Sequence, residues 1–403
     1  MNQSPLPYPL LKDADLSGKR VLLRAGFDVP TEDGKVVDIS RIEALVPTMQ
    51  EILKRGASLV IMAHQGRPKD KPDPAFSQKP LVPVLEQLLN VSVAFAESCI
   101  GEVANSGAAA LKPGGVLLLE NLRFDPREKR NDPEFARKLA SLADIYVNDA
   151  FTNCHRAHAS MVGVPQLLPS FMGLQLEQEV RHLSAVTKHP EHPVALVISG
   201  AKMETKIPVI RHFMRKGDDV LVGGCIANAF ISASGRGIGR SMCETEFIPT
   251  CRELLGQSGV GGSARIHVPV DAVVAPDPAH PEAAKEVPTD AIAEDLAMFD
   301  IGSATADAYV ARIAQAKTII WNGPLGLYET ERFSRATKRI AQSISQACSN
   351  GATAVLGGGD TIDFHTRYGL PLSAYTYVST GGGAMLEFIG GGELPALKAL
   401  QRK

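Results

Sequence analysis

Short apolar runs rich in β-branched residues alternate with longer amphipathic stretches along almost the whole chain. In the first half the runs are Val21–Leu23, Ser58–Met62, Val91–Phe95, Val116–Leu119 and Ile145–Val147. In the second half they are Val194–Ile198, Asp219–Val222, Ile266–Val268, Thr318–Trp321, Ala354–Leu356 and Tyr375–Val378. Several are apolar at consecutive positions, as strands buried on both faces of a sheet should be. Between them, Pro80–Leu89, Pro133–Leu142 and Arg332–Gln346 carry helical periodicity. This alternation predicts an α/β fold with parallel sheets. Each half has strands enough for its own sheet, and 403 residues exceed one ordinary core, so two domains are expected. The boundary is expected after the Val164–Ser170 segment. A helical pattern from about Gly173 to Val186 comes next, then a break at His189–Pro193, the layout of a helix bridging two lobes.

Glycine-rich breaks follow three of the later runs. They are Gly357-Gly358-Gly359-Asp360-Thr361, Ser379-Thr380-Gly381-Gly382-Gly383, and Asn322-Gly323-Pro324-Leu325-Gly326. Without a Cβ in the way, backbone N–H groups can approach an anion closely. A helix beginning there adds the positive end of its dipole. Such loops at the ends of parallel strands point to a nucleotide site. Ser199-Gly200-Ala201-Lys202 follows Val194–Ile198 and places an ammonium at a strand-to-helix turn, with Lys206 one turn further on. It is not a Walker A loop, since G-x-x-x-x-G-K-[ST] does not occur. Gly259–Ala264 has the glycine spacing of a dinucleotide fingerprint but precedes a strand instead of following one, so that reading is rejected.

The bulk numbers exclude several classes. Net charge is −2, from 42 basic and 44 acidic side chains, so no basic field marks a nucleic-acid binder. No stretch approaches the ~18 consecutive apolar residues of a membrane span, and the first 20 residues do not read as a signal peptide, so a cytoplasmic protein is expected. The six cysteines, at 99, 154, 225, 243, 251 and 348, form no C-x-x-C pair and are expected to be reduced.

The first half carries arginines beside strand ends or in tight loops: Arg24, Arg67, Arg123 and Arg156, with Arg41 opening a helical pattern. Ligands of open α/β sheets bind at the carboxyl ends of strands, and guanidinium forks match phosphate and carboxylate oxygens. One such arginine is as readily a surface ion pair. The set points to a small polyanion. His155 and His158 have metal-like i, i+3 spacing but no third ligand in view, so anion hydrogen bonding is the better reading.

Together these segments resemble phosphoglycerate kinase, in order and along essentially the whole chain. They include RAGFDVP (24–30), AHQGRP (63–68), LLLENLRF (117–124), HRAHAS (155–160), GAKMETKI (200–207), GGCIANAF (223–230), WNGPLGLYE (321–329), LGGGDT (356–361) and STGGGAML (379–386). The resemblance implies two Rossmann-like lobes joined by a hinge helix. They are a phosphoglycerate-binding lobe over 1–172 to which 390–403 return, a hinge over 173–188 and a nucleotide-binding lobe over 189–389. By position, Arg24, Asp28, Arg41, His64, Arg67, Arg123 and Arg156 would hold 3-phosphoglycerate or 1,3-bisphosphoglycerate. Gly200, Ala201, Lys202, Lys206, Asn322, Gly323, Pro324, Glu329, Gly357, Gly358, Gly359, Asp360 and Thr361 would hold ADP or ATP, with Asp360 the Mg2+ ligand. Arg41, Lys202, Gly381 and Gly382 would act on the transferring phosphoryl. A monomer that binds neither nucleic acid nor membrane is expected. The alternatives are a divergent paralogue with altered acid-substrate affinity, or a nucleotide-binding protein without turnover.

The departures from the family lie mainly in the first lobe. Where the family usually reads Arg-x-Asp-x-Asn-x-Pro, this chain has Gly26 and Asp28 at the two polar positions. Both normally touch the phosphoglycerate, and an ionised Asp28 would repel its carboxylate unless a neighbouring arginine compensates. Gln65 replaces the usual leucine after His64, and Ala336-Thr337 the usual Gly-Thr.

Overall fold

The computed structural model describes residues 6–32 and 34–401. The first five residues of the expected amino-terminal segment and the last two of the expected returning segment lie outside them. The chain divides into two compact units, residues 1–181 with 393–403, and residues 182–392. The division falls inside the helix Leu174–Thr187.

The first unit is built on β1 (Arg20–Ala25), β4 (Ser58–Met62), β5 (Val93–Ala96), β6 (Val116–Leu119), β7 (Ile145–Asp149) and β8 (Ser170–Met172), with a small hairpin of β2 (Thr31–Glu32) and β3 (Lys35–Val36). The six strands form a parallel sheet in the order β5-β6-β4-β1-β7-β8. Strands β1, β4, β6 and β7 are buried almost throughout, because helices cover both faces of such a sheet. One face packs Val21, Leu23, Leu59, Ile61, Leu118 and Val147 into a single core. Each fully buried side chain of this size is worth ~1.5–3 kcal/mol.

The second unit holds β9 (Val194–Ile198), β10 (Asp219–Val222), β11 (Arg265–His267), β12 (Asp271–Ala275), β13 (Lys285–Pro288), β14 (Ala297–Ile301), β15 (Thr318–Asn322), β16 (Thr353–Gly357) and β17 (Tyr377–Ser379). A parallel sheet runs β11-β10-β9-β15-β16-β17, and an antiparallel one β13-β12-β14. Helices Met203–Met214, Gly224–Ala233, Gly359–Arg367 and Gly383–Ile389 follow β9, β10, β16 and β17, so their amino ends gather at the carboxyl edge of the sheet.

The antiparallel sheet, the β2–β3 hairpin and β8 have no counterpart among the expected strands. β13 reads Lys-Glu-Val-Pro and is largely exposed at an edge, so no apolar run marks it. β5, β11 and β17 are displaced by one or two residues from the apolar runs that predict them. Among the described residues no helix is long and apolar enough to cross a membrane.

Candidate active site

In the first unit the loops after β1, β4 and β6 are tied to one another by buried amides. Asn121 accepts from the Arg123 N–H at 2.9 Å and donates to the carbonyls of Gln65 and Phe76, both at 2.8 Å. Gln65 bonds both backbone groups of Val29, accepting from its N–H at 3.2 Å and donating to its carbonyl. Gly66 lies at φ +57°, and a Cβ there would collide with the Phe76 ring, so only glycine fits.

This frame sets out the arginines in different ways. Arg24 is fully buried: Nε donates to Ser160 Oγ at 3.0 Å, Nη1 to the Ala25 carbonyl, and Nη2 reaches His64 Nδ1 at 3.1 Å. Arg123 is only 4% exposed; its Nη1 donates to the Gly66 carbonyl at 2.7 Å, while Nε and Nη2 are buried without a partner. Burial, then the charges of Arg156 and Arg24, push its pKa down to about 10. A cation held dry with two donors unmet is costly unless an anion joins it. Arg156 is half-buried with Nε 3.4 Å from His155 Nε2, Arg67 is exposed, and exposed Arg41 donates to the Asp28 carbonyl at 2.7 Å.

His64 is almost fully buried, and its Nδ1 must accept, because a guanidinium has only donors. The ring is therefore neutral with its proton on Nε2, which faces Asp28 Oδ2 at 3.5 Å. Burial chiefly, with the charges of Arg24 and Arg123, pushes the His64 pKa down to about 3. Asp28 accepts from the Gly66 N–H at 2.7 Å. Burial disfavours its charge, but His64, the Gly66 N–H and Arg123 outweigh this and hold the carboxyl well below its usual range. These partners stabilise the Asp28 charge itself. At the other departure, a Cβ on Gly26 would lie 3.2 Å from Ala150 Cα and 3.3 Å from Thr152 Oγ1. His155 and His158 both have lowered pKa values, chiefly through burial, and no group of three metal-binding side chains occurs among the described residues.

In the second unit the strand-end loops interlock. Buried Lys206, on the first turns of its helix, donates to Asn322 Oδ1, and Asn322 Nδ2 donates to the Gly357 carbonyl at 2.6 Å. Thr361 Oγ1 accepts from the Gly323 N–H at 2.9 Å and donates to the Gly357 carbonyl at 3.2 Å. Gly358 caps the Gly359–Arg367 helix at φ +105°, and a Cβ there would sit 2.8 Å from Asn322 Nδ2. Burial pushes the Lys206 pKa down to about 8 despite the nearby charge of Asp360.

A cavity of about 580 Å³ opens beside these loops. Its wall includes Gly200, Ala201, Pro324, Glu329 and Asp360 of the expected nucleotide set. Lys202, Lys206, Asn322, Gly323, Gly357, Gly358, Gly359, Thr361, Gly381 and Gly382 are not in its wall. Lys202 is the exposed cap residue of the Met203–Met214 helix, and the Gly381 N–H donates to Ser379 Oγ at 3.1 Å. The wall adds Cys225, Asn228, Arg240, Met242, Phe299 and Tyr328, none of which the loop reading singled out. The signal for Cys225 and Asn228 was GGCIANAF, a glycine pair at a strand end like the others; Phe299 comes from β14, a strand that was not expected. A larger cavity, about 760 Å³, lies in the first unit between Lys35, Pro74, Pro83 and Phe95, and none of the expected arginines lines it.

The model of the phosphoglycerate kinase family matches residues 11–392. The chain belongs to the phosphoglycerate kinase family. A phosphoglycerate kinase from Desulforudis audaxviator is 44% identical over 394 residues, covering 98% of this chain and 99% of the relative. One from Fervidobacterium nodosum is 42% identical over 395 residues, covering 98% of each. Among solved structures, phosphoglycerate kinase from Coxiella burnetii superposes with a TM-score of 0.89 at 35% identity, covering 98% of this chain and 99% of that one. The enzyme from Pyrococcus horikoshii gives 0.83 at 33% identity, covering 98% of both chains. The kinase motifs that differ in this chain are accommodated locally. Gln65 braces Val29, Thr337 Oγ1 accepts from the Leu325 N–H at 3.0 Å, and the Ala336 N–H donates to buried Asp300 at 3.1 Å.

Proposed function

We propose that the chain carries out its family's reaction with the acid substrate held by the first unit and the nucleotide by the second. The reaction is the reversible transfer of a phosphoryl group between 1,3-bisphosphoglycerate and ADP, giving 3-phosphoglycerate and ATP, a step of glycolysis and gluconeogenesis. The family match over residues 11–392 favours this kinase over a divergent paralogue or a non-catalytic nucleotide binder.

The observation that carries the assignment of the first unit is Arg123, with two buried donors unmet beside Arg156 and Arg24. A phosphate or carboxylate oxygen supplies what they lack. In this reading Arg41, Arg67, Arg123 and Arg156 hold the acid substrate, while Arg24, His64 and Asp28 shape the site from beneath. Lys206, Asn322 and the Gly357–Gly359 backbone receive the nucleotide phosphates, and Glu329 and Tyr328 line the cavity beside these loops.

Phosphoryl transfer asks the protein for in-line positioning and cations. Arg41 and Lys202 are exposed, and in this reading they reach the transferring group, where the Gly381–Gly382 backbone can add N–H donors. The acceptor is a carboxylate, so no general base is needed. Asp360 is exposed on the first turn of its helix and lines the cavity. A carboxylate there suits Mg2+, which takes one or two protein carboxylates and keeps waters and substrate phosphates. When bound, Mg2+ neutralises charge on the nucleotide phosphates. We further propose that the helix Leu174–Thr187 is the hinge, and that the enzyme works as a cytoplasmic monomer without nucleic-acid or membrane partners.

The test is a coupled assay of 1,3-bisphosphoglycerate formation from Mg-ATP and 3-phosphoglycerate. Turnover that falls in both Arg123→Ala and Lys206→Ala, each through the KM of its own substrate, supports the assignment. Loss of the opposite substrate's affinity in either variant contradicts it.

A further inference from the structure

Below the arginine site a chain of buried polar groups leads from one carboxylate to the substrate loops. Glu128 is 1% exposed and accepts two hydrogen bonds from one residue, from Ser160 N at 2.9 Å and Ser160 Oγ at 2.5 Å. The direction of each bond follows from what the groups can do. Arg24 Nε can only donate, so Ser160 Oγ accepts there at 3.0 Å, and the hydroxyl proton goes to Glu128. Ser160 is itself fixed, since the Tyr146 hydroxyl donates to its carbonyl at 2.9 Å. His158 Nδ1 stands 3.8 Å from Glu128 Oε1.

A guanidinium as deeply buried as Arg24 needs a buried counter-charge. Glu128 is the carboxyl placed to supply it: burial raises its pKa on balance, and Arg24 and the two Ser160 bonds act against that rise. From Arg24 the sequence runs on through Nη2 to His64 Nδ1 at 3.1 Å and from His64 Nε2 to Asp28 Oδ2 at 3.5 Å. Asp28 then holds the Gly66 N–H on its side chain and the Arg41 guanidinium on its carbonyl, each at 2.7 Å. It does so at φ +41°, a left-handed conformation that needs such ties to persist.

We propose that Glu128 and Ser160 are positioning residues for the acid substrate. Acting through Arg24, they fix the tautomer of His64, and through Asp28 the placement of Arg41 and of the Gly66–Arg67 loop. The proposal rests on the reading that this unit holds phosphoglycerate. It explains how an acid at position 28 is compatible with an anionic substrate: Asp28 is spent on the loops, with both oxygens turned toward internal donors.

The experiment combines 15N NMR of the His64 imidazole with steady-state kinetics on the full chain. The wild type is expected to show His64 protonated at Nε2 only. Ser160→Ala removes the acceptor of Arg24 Nε. It is expected to mix the tautomers and raise the KM for 3-phosphoglycerate about tenfold, with the KM for Mg-ATP unchanged. Ser160→Thr keeps the hydroxyl and is expected to restore both readouts. Glu128→Gln, which keeps the shape and removes the charge, is expected to behave like Ser160→Ala. An Nδ1-protonated wild type overturns the proposal even if no variant folds. So does a Ser160→Ala enzyme whose tautomer is unmoved, or one in which both KM values rise together. If 3-phosphoglycerate shifts no signals from the Arg41, Gly66 and Arg123 region of the wild type, the site reading itself fails and takes the proposal with it.

Discussion

The Arg24 guanidinium reaches His64 Nδ1 at 3.1 Å, and this one bond decides where the imidazole carries its proton. A second proton on the ring would face a buried cation, so protonation is opposed by burial first and by the Arg24 and Arg123 charges after it.

His64 should therefore stay neutral across the physiological range. An NMR titration is expected to show no inflection of His64 between pH 5 and 8. The unfolded chain binds its proton near the ordinary 6.5, the folded one only near about 3. In that window the unfolded state carries more protons, so this group makes stability rise with pH up to about 6.5 and contribute no slope above it. An inflection near 6.5 in the folded protein would contradict the arrangement.

Lys206 shows the same conflict in a cation that the proposed function assigns to the nucleotide site. Its folded pKa is about 8 against an ordinary 10.5, so the charged form is penalised below pH 8 and stability should rise as pH climbs from 8 to 10.5. Lys206→Met removes a buried charge of ~3 kcal/mol penalty, partly offset by leaving Asn322 Oδ1 unpaired. The free variant is expected to melt no lower than the wild type at pH 7, while its affinity for Mg-ADP falls at least about tenfold. Thermal melts and calorimetric titration measure the two.

Neighbouring glycines separate a fold requirement from a ligand requirement. A Cβ on Gly359 would meet nothing within 4 Å, whereas one on Gly358 meets the Asn322 amide at φ +105°. Gly358→Ala should destabilise the protein by more than ~1 kcal/mol. Gly359→Ala should leave the melting temperature unchanged and still weaken Mg-ADP binding, because in the proposed site the phosphate approaches that backbone. Unchanged binding in a stable Gly359→Ala would remove this loop from the nucleotide site.

Much of this was legible in the sequence where burial is two-sided. β6 and β9 are continuous apolar runs, β4 and β10 are so after their first residue, and the limits of all four coincide with the runs that predict them. β13 was not legible, because an exposed edge strand needs no apolar pattern. The arginines stood out by their place after strands, but their roles did not. That Arg24 is enclosed depends on Ser160 and His64, 136 and 40 positions away, and no local pattern reports such contacts. In the sequence Gln65 is only a replacement for leucine; its pairing with Val29 appears only once the two loops are side by side.

The central claim is that the arginine cluster of the first unit is the phosphoglycerate site, with Arg123 its unsatisfied cation. The most direct test is calorimetric titration of 3-phosphoglycerate into the wild type and Arg123→Ala, with Mg-ADP titrated into both as a control. The account predicts binding to the wild type, a loss of about ten- to a hundredfold in the variant, and equal Mg-ADP affinity in the two. Equal 3-phosphoglycerate affinity in the two proteins would contradict it.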